Sequence, residues 1–164
     1  MHNRKQSMLR CLWVASSFTL CAGAYAETTF AQYCQLAGSN APEPVGDRPG
    51  HAIQTGEFTC NNVGGGMDGS VTTATYVWEW DKTNVVELVT AGIVRMPGGF
   101  QVWERTESTI AVTMADGKVT GVSGTGRGRV LAAGGTLATT GGKTFSYSWK
   151  STSFNQFSVS VRVE

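Results

Sequence analysis

From Val71 to the C-terminus most extended runs of this chain place apolar residues at every second position, and no stretch after Glu27 carries an apolar stripe of helical period. Alternation at period two marks strands, because successive side chains leave a strand on opposite faces. Val71–Asp81 puts Ala74, Tyr76, Trp78 and Trp80 on one face and Val71, Thr73, Thr75, Val77, Glu79 and Asp81 on the other. Lys143–Lys150 aligns Phe145, Tyr147 and Trp149, and the last strand sets Phe157, Val159, Val161 and Val163 against Ser158, Ser160, Arg162 and Glu164. Between these, Val85–Met96 is apolar in part on both faces. Phe100–Met114 reads as one long strand with Phe100, Val102, Ile110, Val112 and Met114 on one side. Val119–Thr140 is extended and Gly-rich, and reads as two strands broken near Gly134-Gly135.

The punctuation agrees with this reading. Asp81–Asn84, Pro97–Gly99, Ala115–Lys118, Gly141-Gly142 and Asn155-Gln156 are turns by composition. Asp116-Gly117 between two extended runs is the strongest of them, a two-residue hairpin signal. Tight turns make neighbouring strands antiparallel and leave no room for a crossover helix. A meander of about seven or eight strands must hide its edges, and closure into a barrel does so completely. A sandwich is the competing answer, but the hairpin-short connections favour the barrel. The fold class is therefore all-β: a single antiparallel meander over residues 27–164, closing into a small β-barrel of about eight strands.

The N-terminus has a different character. Arg4, Lys5 and Arg10 precede the apolar run Cys11–Ala22, which falls short of the ~20 residues that span a bilayer. Ala24-Tyr25-Ala26 then supplies a small-x-small cleavage pattern. Residues 1–26 are thus expected to be a cleavable secretory signal, and the barrel to be periplasmic or secreted, with no membrane span. Cleavage would leave ten basic against twelve acidic residues, a net of −2 with no basic cluster, which argues against a nucleic-acid partner. Cys34 and Cys60 would remain as an even pair in an oxidising compartment, so a disulfide is expected. Closing a loop of about 26 residues, it is worth ~3 kcal/mol.

Few residues offer chemistry. Glu104 lies in phase with Phe100, Val102, Ile110 and Val112, beside Thr106 and Ser108 on the same face. If that face lines a lumen, Glu104 points inward, Arg105 points outward, and the carboxylate is the candidate catalytic group. A bulge that resets the register would instead turn Glu104 to solvent. Tyr76, Trp78, Trp80, Tyr147 and Trp149 form aromatic walls suited to a flat or apolar ligand, with Trp103 apart from them. Glu79 and Asp81 share a face, but neighbours two apart meet glycosidase spacing trivially. His51, the single histidine after the signal, has no triad context and reads as a surface residue. The glycines of Gly124–Arg129 are not a phosphate loop, because no Gly-Lys-Ser/Thr ending or helix follows. No metal site and no cofactor is expected.

The run Val119–Arg129 with Leu131–Gly134 resembles a segment of the allene oxide cyclase-like and dirigent-like barrels, in which a strand leads through Gly-Thr-Gly into a strand of small residues. The residues that carry the resemblance are about a tenth of the chain. Their Gly-Gly-Thr-Gly form is here Ser123-Gly124-Thr125-Gly126, no aromatic follows the turn, and no family catalytic residue maps onto this sequence. It implies an eight-stranded barrel with an apolar lumen and cofactor-free work on a hydrophobic small molecule. The leading expectation is therefore an exported barrel that binds an apolar or aromatic small molecule in its lumen. The alternatives are a cofactor-free isomerase or cyclase on the same barrel, or an envelope structural or interaction protein without a ligand. Homo-oligomerisation is left open.

Overall fold

The computed structural model describes residues 28–38, 41–153 and 155–164. The expected signal peptide, residues 1–26, lies outside the described residues. Nine strands follow one another: β1 (Thr28–Ala37), β2 (Glu43–Pro44), β3 (His51–Val63), β4 (Val71–Asp81), β5 (Asn84–Met96), β6 (Gly99–Ala115), β7 (Lys118–Gly135), β8 (Thr144–Ser153) and β9 (Gln156–Val163). The described residues hold no α-helix, and short 3-10 turns occur at Gly65–Met67 and Ala138–Thr140. No helix among them is long and apolar enough to cross a membrane.

Every strand from β3 to β9 pairs antiparallel with the next, and β1 pairs with both β9 and β3. The sheet therefore closes into an eight-stranded antiparallel barrel of β1 and β3–β9, with β2 as a short extra strand on the start of β3. Closure happens at the β1–β3 seam, where Cys34 and Cys60 face each other in register and are joined as a disulfide. The bond staples the N-terminal strand into the wall at the point where the meander becomes a cylinder.

The turn chemistry is where composition placed it. Lys82, Asp116 and Asn155 take positive φ at the β4–β5, β6–β7 and β8–β9 turns, and Gly117 follows Asp116 with φ 72°, the left-handed pair a tight hairpin requires. The inward face carries Phe30, Cys34, Phe58, Cys60, Tyr76, Phe145, Tyr147, Trp149, Val159, Val161 and Val163, all buried.

β7 differs from the expectation of two strands: it runs unbroken through Gly134, and the break comes after Gly135. Its glycines explain the Gly-rich motif. Gly124, Gly126 and Gly128 lie opposite Trp149, Tyr147 and Phe145 of β8. A methyl group at Gly124 would fall 2.5 Å from Trp149 Nε1, and one at Gly126 2.5 Å from Tyr147 Oη. At Gly128 it would overlap Phe145 Cζ. The absent side chains are thus the space into which the β8 aromatics lean, a packing device for strands in a strongly curved wall.

β6 departs from straight alternation. Its ladder with β7 shifts register between Val102 and Trp103, between Arg105 and Glu107, and between Thr113 and Met114. Only the middle shift inserts a residue into β6, Thr106, and so re-aims the side chains after it; the other two leave Leu131 and Thr120 of β7 without partners. Gln101 and Trp103 are buried, whereas Phe100 is 44% exposed and packs outside the wall against Gly134. Ile110 packs against the core beyond the second shift. Phe100 and Ile110 therefore do not share a face.

Candidate functional site

Arg105 keeps the phase of the buried Gln101 and Trp103, and the bulge at Thr106 separates Glu104 from the phase of Ile110. Glu104 lies on the outer wall, where Arg129 Nη2 holds it at 2.7 Å, with side chains 59% and 32% exposed for Arg129 and Glu104. Arg105 lies inside: Nη1 donates to Glu87 Oε2 at 2.9 Å, and the two side chains are only 8% and 3% exposed. The expected directions of Glu104 and Arg105 are therefore reversed. The phase argument counted straight from Phe100 to Val112, and the extra residue at Thr106 breaks that count. The inward carboxylate is Glu87, placed by another bulge, at Val77/Trp78, where Leu88 is left without a partner on β4.

The buried ion pair is well supplied. Trp78 Nε1 and Ser108 Oγ each reach Glu87 Oε2 at 3.4 Å. The Arg105 guanidinium lies 4.3 Å from the centre of the Tyr147 ring, a cation–π contact. Tyr147 donates its hydroxyl to the Glu107 carbonyl at 3.0 Å, and burial raises its pKa above 10. A second polar chain runs beside it. Trp80 Nε1 donates to Gln54 Oε1 at 2.7 Å, and Gln54 Nε2 donates to Tyr76 Oη at 3.2 Å. Burial likewise pushes Tyr76 above 10.

Above this layer, at the barrel end that carries the β4–β5 and β8–β9 turns, lies a cavity of about 170 Å³. Its walls are Phe58, Tyr76, Trp78, Trp80, Trp149 and Phe157, its floor includes Arg105 and Gln54, and its rim is formed by Ser153, Asn155 and Gln156. Trp78 and Trp149 stack at 5.7 Å between ring centres, and Phe157 meets Trp149 edge-on at 6.0 Å. Below Arg105 the space shrinks to a void of about 30 Å³ beside Trp103, Phe145 and Tyr147. Arg105 borders both spaces and so divides the lumen.

Tyr76, Trp78, Trp80 and Trp149 thus meet in one cavity, while Tyr147 lies beneath its floor. Sequence reasoning missed Arg105, Glu87 and the inward Trp103. Trp103 was the available signal, since the largest apolar side chain of a strand tends to face in, and Arg105 shares its phase.

A separate cluster occupies the outer rim. His51 sits between two carboxylates, with Nδ1 against Asp47 Oδ1 and Nε2 2.8 Å from Glu79 Oε1. Arg48 Nη1 reaches Asp47 at 2.8 Å, and Nη2 lies 3.4 Å from Asp81. The His51 side chain is 11% exposed, so it is less superficial than its sequence context suggested. The hydrogen bond to Asp47 raises the pKa of His51, and the same bond lowers that of Asp47. The group ties the segment before β3 to β4. No set of three or more His, Cys, Asp or Glu among the described residues is arranged to hold a metal ion. The chain matches no protein-family model and no curated protein.

Proposed function

We propose that this protein is an exported barrel that binds a small apolar or aromatic molecule in its upper lumen. The observation that carries the reading is the cavity of about 170 Å³ walled by Trp78, Trp80, Trp149, Phe58 and Phe157. A barrel built only as a scaffold fills that space with side chains, as this one does below Arg105. The Cys34–Cys60 disulfide supports export, because such bonds persist in oxidising compartments. The closed eight-stranded wall is the architecture implied by the resemblance to allene oxide cyclase-like and dirigent-like barrels.

Binding is favoured over isomerase or cyclase chemistry by what borders the cavity. Its ionisable lining groups are Arg105 and Tyr76. A guanidinium does not lose its proton in a protein, and burial moves Tyr76 further from neutrality. Neither is poised for proton transfer at neutral pH. Titration of the disulfide-bonded protein with toluene or indole, followed by tryptophan fluorescence, tests the reading. Saturable quenching in the wild type, lost when Val122→Phe fills the cavity, is the expected result. A linear, non-saturating response in both proteins refutes it.

A further inference from the structure

Resting on the lumen-binding reading, we infer that the cavity selects a ring-sized, electrically neutral molecule carrying one hydrogen-bond acceptor, and that Arg105 is the residue that reads that acceptor. Size comes first. An apolar cavity of about 150 Å³ takes benzene, and this one is about 170 Å³. One aromatic ring with a short substituent fills it.

The requirement for an acceptor follows from hydrogen-bond bookkeeping at the floor. A guanidinium carries several N–H groups in a fixed fork. Arg105 uses one on Glu87 and lies over the Tyr147 ring, 4.3 Å from its centre. The fully enclosed side-chain polar atoms without a partner, among the described residues, are Thr90 Oγ1 and Trp149 Nε1. Arg105 is not among them, and its side chain, although only 8% exposed, lines free space on two sides. That space is the cavity above and the small void below. The donors of Arg105 have already lost most of their water. A ligand oxygen that meets them therefore satisfies a group whose desolvation folding has already imposed, which is where a single hydrogen bond is worth most.

Neutrality follows from charge. Glu87 lies 2.9 Å from Arg105 and is itself 3% exposed, so the floor carries a balanced pair. A carboxylate ligand would place a second, uncompensated anion beside Glu87 in a low-dielectric site, and like charges there are disfavoured. A ketone, aldehyde, ester or amide oxygen gains the Arg105 hydrogen bond without that repulsion. Glu87 thus sets selectivity without touching the ligand: it is the counter-charge that excludes acids.

The test compares toluene, acetophenone and benzoate by calorimetric titration of the disulfide-bonded protein. Acetophenone should bind about tenfold more tightly than toluene, the value of one hydrogen bond to a charged donor, and benzoate should bind more weakly than acetophenone. In Glu87→Gln, Arg105 loses its counter-charge and benzoate should overtake acetophenone. Equal affinities for toluene and acetophenone, benzoate as the tightest wild-type ligand, or an unchanged order in a folded Glu87→Gln protein each overturn the inference while leaving lumen binding intact. Absence of saturable binding by all three removes lumen binding and this inference together. If Glu87→Gln does not fold, the wild-type series still decides.

Discussion

The Arg105 guanidinium and the Glu87 carboxylate meet 2.9 Å apart at the height where the β5–β6 ladder stops. That ladder runs from Met96↔Gly99 to Ala91↔Glu104 and no further. Above it the two strands no longer pair with each other, and each is still held on its other side, β5 by β4 and β6 by β7. An ion pair between side chains thus spans a part of the wall that backbone hydrogen bonds do not.

Removing one member of this pair should cost more than removing both. Arg105→Met strands a buried carboxylate and should lower stability by about 3–5 kcal/mol, whereas Arg105→Met with Glu87→Leu should recover most of that loss. Urea denaturation of the two variants measures it. A single variant no less stable than the double would show that the pair is solvated.

The unpaired stretch should also be visible in exchange. Amides of Val85–Thr90 and Thr106–Thr113 that point away from their one ladder partner should exchange faster than those of β4, which is paired on both sides. Hydrogen–deuterium exchange resolved by residue checks this, and uniform protection across β4, β5 and β6 would contradict it.

The seam disulfide should matter in proportion to the loop it closes. Replacing Cys34 and Cys60 by Ser should cost about 2–4 kcal/mol while leaving the strand content unchanged in circular dichroism. Thiol counting in the unfolded, unreduced wild type should find no free thiol from this pair.

The glycine row on β7 predicts a positional contrast. Gly128→Ala would drive a methyl group against Phe145 and the Glu104 carbonyl and should cost about 1–3 kcal/mol. Gly66→Ala meets nothing within 4 Å and should be close to neutral. Thermal melts of the two proteins side by side decide whether the row is required by packing.

The rim cluster gives a pH signature. His51 is raised above its ordinary 6.5, so its contribution to stability is complete below that value and is lost as pH rises through the folded value. Asp47 is lowered below its ordinary 3.8, so its contribution is present above 3.8 and is lost as pH falls through the folded value. The cluster should therefore contribute most between about pH 4 and 6.5, and the stability gap between wild type and His51→Gln should narrow above that window. Melting temperatures of both proteins from pH 4 to 9 test the sign.

The sequence by itself determined the strands that alternate cleanly, the turns and the disulfide. β4 and β9, and β8 as far as Ser151, keep a period of two, so the inward faces of Tyr76, Trp78, Trp80, Tyr147, Trp149 and Val161 follow from counting. Asp116-Gly117 suits the positive φ values its turn needs, a local requirement, whereas Lys82 takes φ 58° without belonging to the residue types that favour it. Closure of the meander was legible from its short connections. Only the tertiary structure decided the site. Glu104 falls out of phase with the inward Ile110 because of the bulge at Thr106, and the inward Glu87 depends on another at Val77/Trp78. A bulge is a backbone adjustment to the curvature a closed sheet imposes, and many side chains tolerate it. Its position is therefore set by how neighbouring strands fit around the barrel rather than by the residues that form it. The partner of Arg105, eighteen residues back and one strand over, is brought to it by the bulge that turns Glu87 inward.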